Sequence, residues 1–435
     1  MVCPHISYPF GTPGDEVVNV SDVPVDGDRL RRDIERNAQF GAVPTDKGQA
    51  RTVLPGTESN RGARKHLVER MIQADLAVSV DSVGNIVGEY APENCDPAAE
   101  PVAVGSHLDS VPFGGIFDGP LGVYAGLESV RAIQESEVQL TRPVQVVCFT
   151  GEEGTRFADG VLGSSVAAGL LDPKEALALS DGDQTLRDAL NDIGFHGKGQ
   201  VNAGDWHAWL ELHVEQSDRL EQLGLPAGVV TNISGTTRLH IDIEGAANHT
   251  GTTSMGERTD ALAAASEFIL ELEQVAQDSP ETAVATVGEL HVEPGAVNVV
   301  PGRVECRAEV RDVDQATLDQ IVEDVQSVLA ELEITRGVTT SMTCSYQVRP
   351  VDMATQCQEA LHDAGAAIGI ETAAVHSGAG HDSMQVARVT DAGLLFAPSK
   401  GGHSHNNLEW TEWPACTATT EILTSALTTL ASDSQ

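Results

Sequence analysis

The stretch PVAVGSHLDSVPFGGIFDG, residues 101–119, decides how the fold is interpreted. It opens with the apolar run VAV between a proline and a glycine, and this pattern predicts a buried strand. His107 and Asp109 follow on alternate positions, so on an extended backbone they share one face. A glycine-rich loop leads to Asp118, and Pro120 is typical of the first turn of a helix. A histidine with a carboxylate behind its other ring nitrogen indicates a metal ligand. The alternative is a surface loop.

The apolar segments that follow predict a largely parallel sheet covered by helices, because they alternate as strand, helix and strand. The expected segments are a helix over 121–133 and strands over 78–90, 144–149 and 208–212. The second of these strands leads into TGEEGTRF, which contains Glu152 and Glu153, and the third leads into His213. Ligands of such sheets bind beyond the carboxyl ends of the strands. We therefore expect these three side chains at the same edge as His107.

Residues 229–345 show a different order of elements. Their pattern predicts strand, helix and strand twice in succession, which is the split arrangement of a ferredoxin-like α+β domain. The predicted fold class is α/β with two domains, in which this second domain is inserted into the first. The predicted division is 1–228 and 346–435 for the first domain and 229–345 for the inserted one.

The negative net charge of the chain limits the classes of molecule that it is expected to bind. Of 435 residues, 65 are acidic and 26 are basic, which gives a net charge of −39 spread along the sequence. Such dispersed acidity resembles that of proteins from a salt-loaded cytoplasm, and it makes nucleic acids and anionic membranes poor partners. There is no apolar run as long as a membrane span, and the start lacks the pattern of a secretory signal. With seven scattered cysteines and no C-x-x-C pair, we expect a cytoplasmic protein with reduced thiols.

Six side chains near the predicted strand ends have the chemistry of a catalytic metal site. Imidazole and carboxylate donors without thiolate suit zinc, manganese, cobalt or nickel. A pair of such ions needs one bridging carboxylate, and each ion keeps one position open for water or substrate. One more carboxylate should stay free of metal, to take a proton from the water. The six candidates are His107, Asp118, Glu152, Glu153, His213 and His405.

Taken together, the motifs of the chain resemble those of one family. In order they are GSHLDS (105–110), FDG (117–119), GEEGTRF (151–157), LHVEQ (212–216), NHTGTT (248–253), AVNVVPG (296–302) and GHSHN (402–406). From about residue 26 to its end, the chain is similar to the hydantoinase/carbamoylase family of binuclear-metal amidases. That family belongs to the aminoacylase and carboxypeptidase-G-like metallopeptidases. Ser217, Ser254 and His403 depart from the family pattern, but none of them replaces a ligand.

The resemblance implies a role for each candidate. His107 and His213 would bind one metal, Glu153 and His405 the other, and Asp118 would bridge the two. Two divalent ions per subunit are expected, with zinc first and manganese, cobalt or nickel as alternatives.

Three more implied roles concern residues beside these ligands. Glu152 would be the general base and later the acid that protonates the leaving nitrogen, and Asp109 would support the ring of His107. In GGHSH either histidine could be the ligand, and the family pattern selects His405 over His403.

The resemblance also implies a substrate pocket. His249 would stabilise the oxyanion, and Asn298 and Arg311 would hold the substrate carboxylate. Gln216 and His381 would complete the pocket. The alternative for Arg311 is a simple ion pair with a neighbouring acid.

The implied fold is a catalytic domain that carries the di-metal site, with an inserted lid and dimerisation domain. A homodimer is expected, in which some of the groups on the inserted domain reach the metals of the partner.

The implied activity is hydrolysis of the carbamoyl C–N bond of N-carbamoyl-L-amino acids, or related ureido acids, by metal-activated water. An allantoate amidohydrolase or a β-ureidopropionase would have the same site with a different side-chain pocket. An aminoacylase or dipeptidase is a more remote alternative, because the peptidase branch carries a carboxylate where LHVEQ has His213. A non-catalytic small-molecule binder is the alternative from another class.

The acidic composition generates a prediction about salt. Removing salt exposes the repulsion between carboxylates, so the melting temperature should fall between molar and millimolar sodium chloride. Thermal unfolding followed by circular dichroism measures the change. An equal melting temperature at both salt concentrations would contradict the halophilic interpretation.

Overall fold

The computed structural model describes residues 23–432, apart from 94 and 97. Residues 1–22 of the predicted first domain lie outside the described residues. Within the described part, no helix is both long and apolar enough to cross a membrane.

The helices and strands fall into three stretches of the chain. The first stretch contains α1 (Gly27–Asn37), β1 (Ala42–Val43), β2 (Ala50–Arg51), α2 (Glu58–Gln73), β3 (Ala77–Val80), β4 (Ile86–Tyr90), β5 (Val102–His107), α3 (Pro120–Gln134), β6 (Val144–Phe149), α4 (Leu162–Ala167), α5 (Pro173–Ala178), β7 (Ser180–Asp181), β8 (Gln184–Thr185), α6 (Leu186–Ile193), β9 (Ala208–Val214), α7 (Arg219–Leu223) and β10 (Ala227–Ile233). The second contains β11 (Gly235–Glu244), β12 (Asn248–His249), α8 (Ala261–Asp278), β13 (Val284–Glu293), β14 (Val299–Val300), β15 (Arg303–Asp312), α9 (Gln315–Arg336) and β16 (Thr339–Val348). The third contains β17 (Val351–Asp352), α10 (Thr355–Ala367), β18 (Thr372–Ser377), α11 (Asp382–Val386), β19 (Ala392–Ala397) and α12 (Trp413–Ser432).

Within the described residues, the first and third stretches together build a sheet of nine strands. Its strand order is β17-β10-β19-β9-β5-β6-β4-β3, with β18 beside β10. The four central strands β19, β9, β5 and β6 are parallel neighbours, and β4 and β3 extend the sheet in antiparallel fashion. The predicted, mostly parallel α/β sheet is therefore confirmed. Because these four strands are parallel, their carboxyl ends meet at one edge.

One predicted strand was wrong. Residues 78–90 form the two antiparallel strands β3 and β4 rather than a single strand. The turn between them is made by Asp81, whose carboxylate accepts the main-chain N–H groups of Val83 at 3.0 Å and Asn85 at 2.8 Å. Aspartate stabilises such turns through its own side chain, and this local signal outweighs the alternation of apolar residues.

Helix α3 holds the loop before it against the sheet. Pro120 is the first residue of the helix. A proline is tolerated there because an N–H group at this position would have no partner within the helix. The helix is buried from Pro120 to Ile133 and packs on β5 and β9. Gly122 permits this close approach, since a Cβ atom there would lie 2.3 Å from the main-chain oxygen of Leu212. The loop that carries Asp118 therefore lies between two buried elements.

The second stretch builds a separate four-stranded sheet of order β13-β15-β11-β16, in which every neighbouring pair is antiparallel. Helices α8 and α9 connect the strands as the ferredoxin-like prediction requires, and the two helices pack against the strands around their own hydrophobic core. Side chains such as Asp260 and Asp314 accept hydrogen bonds from the first turns of these helices.

The domain boundaries predicted at 228/229 and 345/346 stay a prediction. In the structure the chain passes from the larger sheet to the smaller one between Ile233 and Gly235, and it returns between Val348 and Val351. β10 belongs to the larger sheet because it pairs with β18 and β19.

Candidate active site

Asp118 lies at the centre of a cluster of imidazoles at the carboxyl edge of the parallel strands. Its Oδ1 atom is 3.5 Å from Nε2 of His107, the last residue of β5, and 3.4 Å from Nε2 of His213 in β9. All three side chains are buried. Their donor atoms lie within 4.8 Å of one another, which is close enough for one metal ion to bind all three.

The other carboxylate oxygen of Asp118 belongs to a second group. Nε2 of His405 lies 3.6 Å from Oδ2 of Asp118 and 3.2 Å from Oε2 of Glu153. Asp118, Glu153 and His405 therefore form a second set of donor atoms, again within 4.8 Å of one another. One aspartate is common to both sets, as the sequence prediction of a bridging carboxylate requires.

Main-chain oxygens turn the two buried imidazoles toward Asp118. Nδ1 of His107 lies 3.2 Å from the main-chain oxygen of Asp109, and Nδ1 of His213 lies 3.0 Å from that of Val214. With the hydrogen on Nδ1, each ring keeps the lone pair on Nε2 for a metal. Gly119, at φ 80°, allows this packing, because a Cβ atom there would lie 2.6 Å from the His107 ring.

Asp109 supports His107 in a different way from the one predicted. Its carboxylate Oδ1 is 3.8 Å from Nδ1 of His107, so its main-chain oxygen is the nearer partner. The carboxylate instead accepts the main-chain N–H groups of Gly151 at 3.1 Å and Glu153 at 3.2 Å. Asp109 thus joins the loop after β5 to the loop after β6, which carries Glu152 and Glu153.

The charged side chains of the cluster shift one another's pKa values. Burial disfavours ionised Asp118, but the surrounding imidazoles outweigh it and hold the pKa of this carboxyl well below its usual range. Burial also disfavours the charged form of His213, yet the adjacent Asp118 carboxylate raises its pKa to about 10. The hydrogen bond with Glu153 raises the pKa of His405 to about 9. The carboxylates therefore favour positive charge at the positions that face them.

Glu152 lies beside both groups of donors and belongs to neither. Its Oε2 atom is 3.6 Å from Nε2 of His107. Burial, and then the negative charges of Asp382 and Glu153, raise the pKa of Glu152 well above its ordinary value. A carboxyl group in this position is suited to exchange a proton with a molecule bound at the cluster.

Two buried residues clamp the loop that carries Asp118. Arg51 is completely buried, and its guanidinium donates to four main-chain oxygens of the loop, those of Leu108, Asp109, Gly115 and Asp118. Glu409 is also buried, and its Oε1 atom accepts the N–H groups of Phe117 at 2.8 Å and Asp118 at 3.0 Å. Arg51 therefore binds the main-chain oxygen of Asp118, and Glu409 binds its main-chain N–H.

The cluster opens into a cavity of about 190 Å³ between the two sheets. Glu152, Gln216, Arg311 and His381 line it together with the donors described above. Nε2 of Gln216 donates to Oδ2 of Asp118 at 2.8 Å.

Two predicted pocket residues do not line this cavity. His249 in β12 and Asn298 lie next to each other on an exposed ribbon, where the N–H of Thr250 donates to the main-chain oxygen of Asn298 at 3.2 Å. His403 is exposed and belongs to neither group of donors.

Residues 103–429 of the chain match the peptidase family M20/M25/M40. The chain belongs to this family. It is 37% identical to N-carbamoyl-L-amino acid amidohydrolase from Geobacillus stearothermophilus over 404 residues. This alignment covers 92% of this chain and 97% of that protein. It is 32% identical over 382 residues to allantoate amidohydrolase from Bacillus subtilis, covering 87% and 91% of the two chains. The crystal structure of a hydantoinase/carbamoylase family amidase from Burkholderia multivorans gives a TM-score of 0.89 at 33% identity, covering 95% of this chain and 100% of that one. The family resemblance of the motifs is therefore confirmed.

The centre of this M20-family chain fits a pair of divalent cations. Nε2 of His107 is buried and has no hydrogen-bond partner among the described residues, although buried polar atoms normally have one. The two donor sets contain three imidazoles and two carboxylates, with Asp118 shared. Donors of this kind suit zinc and other first-row divalent ions. Which residue binds which ion stays a prediction.

Sequence reasoning missed several residues that support the M20-family site. Besides Arg51 and Glu409, they include Glu211, which accepts hydrogen bonds from Ser106 and Ser383, and Ser404, which donates to Asp118 Oδ2 at 2.8 Å. Glu409 stands shortly after GHSHN, but nothing in its neighbours reveals that it is buried. Contacts between distant parts of the chain decide that.

We predict that Glu409→Ala loosens the Asp118 loop. The N–H groups of Phe117 and Asp118 would lose a buried acceptor, at a cost of about 1–3 kcal/mol in the free energy of unfolding. Because support behind a ligand typically affects metal affinity about 10–100-fold, zinc binding should weaken by a factor in that range. Urea unfolding and zinc titration calorimetry measure the two effects.

Glu412→Ala is the matched control, because Glu412 lies close by in sequence and is exposed, 3.7 Å from the Lys400 amine. It should change neither quantity measurably. Equal zinc affinity in Glu409→Ala and the control would contradict the clamp.

Proposed function

We propose that this chain hydrolyses the carbamoyl C–N bond of N-carbamoyl-L-amino acids. The observation that carries the proposal is the placement of Glu152, free of both donor sets, beside the shared carboxylate Asp118 in a cavity that also contains Arg311. The reactions for which its relatives are named support the same chemistry. The products would be the amino acid, ammonia and carbon dioxide.

Metals would be held by the five donors of the two sets, with His107 and His213 on one side of Asp118 and Glu153 and His405 on the other. Divalent ions bound there would polarise the carbonyl group and make water more acidic. We expect two ions per subunit, with zinc before manganese, cobalt or nickel.

The side chains of the protein would transfer the proton and bind the substrate. Glu152 takes the proton from the attacking water and returns it to the leaving nitrogen, which needs one group that is free of metal and faces the cluster. Arg311 binds the substrate carboxylate through its planar fork of N–H donors. Gln216 and His381 bind polar groups of the substrate between them.

An allantoate amidohydrolase is the second candidate, because one relative with that name aligns along most of the chain. A β-ureidopropionase would use the same site. An aminoacylase or dipeptidase fits less well, since His213 stands where that branch has a carboxylate. A non-catalytic binder would have no need for Glu152 beside complete donor sets.

We further propose a cytoplasmic, halophilic homodimer in which each active site is shared. Arg311 lines the cavity of its own chain, whereas His249 and Asn298 do not. In a two-fold dimer that pairs the inserted domains, the ribbon that carries His249 and Asn298 would reach the cavity of the partner subunit. There His249 would stabilise the oxyanion and Asn298 would bind the substrate carboxylate.

The substrate is tested by release of ammonia from N-carbamoyl-L-amino acids, allantoate and β-ureidopropionate, with and without chelator. The proposal expects highest turnover on N-carbamoyl-L-amino acids, loss of activity with chelator and recovery with zinc, manganese, cobalt or nickel. Full activity in a metal-free preparation, or no turnover of any of these compounds, would contradict it.

We predict that Glu152→Gln keeps both metals and substrate binding but loses turnover. General-base catalysis typically contributes about 10²–10⁴-fold to the rate, so kcat should fall at least that far. Glu153→Gln is the matched variant one residue away, and it should lose metal. Steady-state kinetics and metal analysis separate the two variants. Metal loss in Glu152→Gln with full occupancy in Glu153→Gln would reverse the two roles.

The shared site predicts complementation between inactive variants. Glu152→Gln and His249→Ala should each be nearly inactive, but in their heterodimer one site has both defects and the other has neither. Random pairing gives about half heterodimers, so co-refolded mixtures should recover about a quarter of the sites.

Glu152→Gln mixed with Arg311→Ala is the control for this experiment. Arg311 lines the cavity of its own chain, so every site of that heterodimer has one defect and activity should not return. Heterodimers of Glu152→Gln and His249→Ala that form and stay inactive would show that His249 does not act across the interface.

A further inference from the structure

The sheet of the inserted domain presents a row of charges on the face that its helices leave open. Along β15 the sequence RVECRAEVR (303–311) alternates, with Val304, Cys306, Ala308 and Val310 buried against α8 and α9. The other face of the strand carries Arg303, Glu305, Arg307, Glu309 and Arg311. In a chain with 26 basic against 65 acidic residues, this concentration of arginine requires an explanation.

At the end of this row that faces the cavity, one carboxylate holds two guanidinium groups. Arg238 of β11 lies opposite Glu309 of β15 and Tyr346 of β16. Glu309 accepts from Nε of Arg238 at 2.7 Å through one oxygen and from Nε of Arg311 at 2.8 Å through the other. The guanidinium of Arg238 also lies over the ring of Tyr346, 4.8 Å from its centroid. Both arginines are therefore held in fixed directions.

These contacts leave donors of Arg238 unused. Nη1 of Arg311 donates to the main-chain oxygen of Gly378 at 2.7 Å. Neither terminal nitrogen of Arg238 has a hydrogen-bond partner in the described part of the chain, yet the residue lines the cavity together with Glu152 and His213.

The wall carries two guanidinium groups, Arg238 and Arg311, and two carboxylates, Glu309 and Asp159, so its charges balance. One glutamate serves two guanidinium groups. Asp159 also lines the cavity, and its charge adds to the Glu309 hydrogen bond in raising the pKa of Arg238. What remains open at this wall is the pair of terminal nitrogens of Arg238, and a carboxylate suits these planar donors.

We propose that Arg238 is a specificity-determining residue that binds a second carboxylate, on the side chain of the substrate. Arg311 then binds the α-carboxylate, and the preferred substrates are N-carbamoyl derivatives of acidic amino acids. Glu309 and Tyr346 hold Arg238 in place before the substrate arrives, which lowers the ordering cost of binding. This inference rests on the proposed function and names its substrate class.

The test compares N-carbamoyl-L-glutamate with N-carbamoyl-L-glutamine, which differ only in the carboxylate or amide at the end of the side chain. Values of kcat/KM are measured at one salt concentration for the unchanged protein and for Arg238→Gln, Arg238→Lys and Arg307→Gln. Arg307 is the matched control, because it lies on the same face of β15, 3.5 Å from Glu289, and does not line the cavity. The unfolding temperature of each variant is recorded.

The unchanged protein should prefer the glutamate derivative by about tenfold or more, the effect of one charge-assisted hydrogen bond. Arg238→Gln should abolish this preference, Arg238→Lys should keep part of it, and Arg307→Gln should keep all of it. The preference of the unchanged protein can be read even if a variant fails to fold.

Three outcomes overturn the inference. The first is a preference for the glutamine derivative in the unchanged protein. The second is an equal loss for both substrates in Arg238→Gln, which would place Arg238 on the common α-carboxylate. The third is hydrolysis of neutral N-carbamoyl amino acids with no preference for charge, which would leave the proposed function intact. Absence of hydrolysis of every N-carbamoyl amino acid would overturn the proposed function as well.

Discussion

The carboxylate of Asp118 is the group on which the rest of this structure depends. It faces imidazoles from three separate parts of the chain, and each of its oxygens belongs to a different set of metal donors. A buried carboxylate is costly unless it is paired and hydrogen-bonded. The parallel strands, the buried helix α3 and the clamp formed by Arg51 and Glu409 all serve to hold that carboxylate where its partners are.

The second sheet supplies the opposite wall of the cavity. Its buried face packs on two helices, and its open face presents charged groups toward the cavity. Arg238 and Arg311 share Glu309, so both guanidinium groups are oriented by the protein itself. The carboxylates of the two donor sets and the two arginines thus lie on opposite sides of the cavity, which brings together groups of opposite charge.

Much of the fold was predictable because the local signals agree with the tertiary structure. The apolar strands before His107, Glu152 and His213 are buried on both faces, so their pattern is plain in the sequence, and their parallel order places their ends together. Strand β15 is equally plain in the sequence for another reason, since only one of its faces is buried and its apolar and charged residues alternate. Residues 78–90 were misassigned because the side chain of Asp81 makes a turn inside an otherwise strand-like segment.

The supporting residues were not predictable, for a physical reason. Arg51 and Glu409 are distant in sequence from the loop they clamp, and no local pattern distinguishes a buried arginine from an exposed one. The separate placement of His249 and Asn298 also depends on how the inserted domain is oriented. The structure brings the five predicted metal donors together, while their roles and the identity of the ions stay predictions.

Anomalous diffraction from crystals grown with zinc, recorded on both sides of the zinc absorption edge, tests the central claim most directly. The account predicts two peaks per chain, one among His107, Asp118 and His213 and the other among Asp118, Glu153 and His405, with the Asp118 carboxylate between them. A single peak, or two peaks that do not share Asp118, would contradict it.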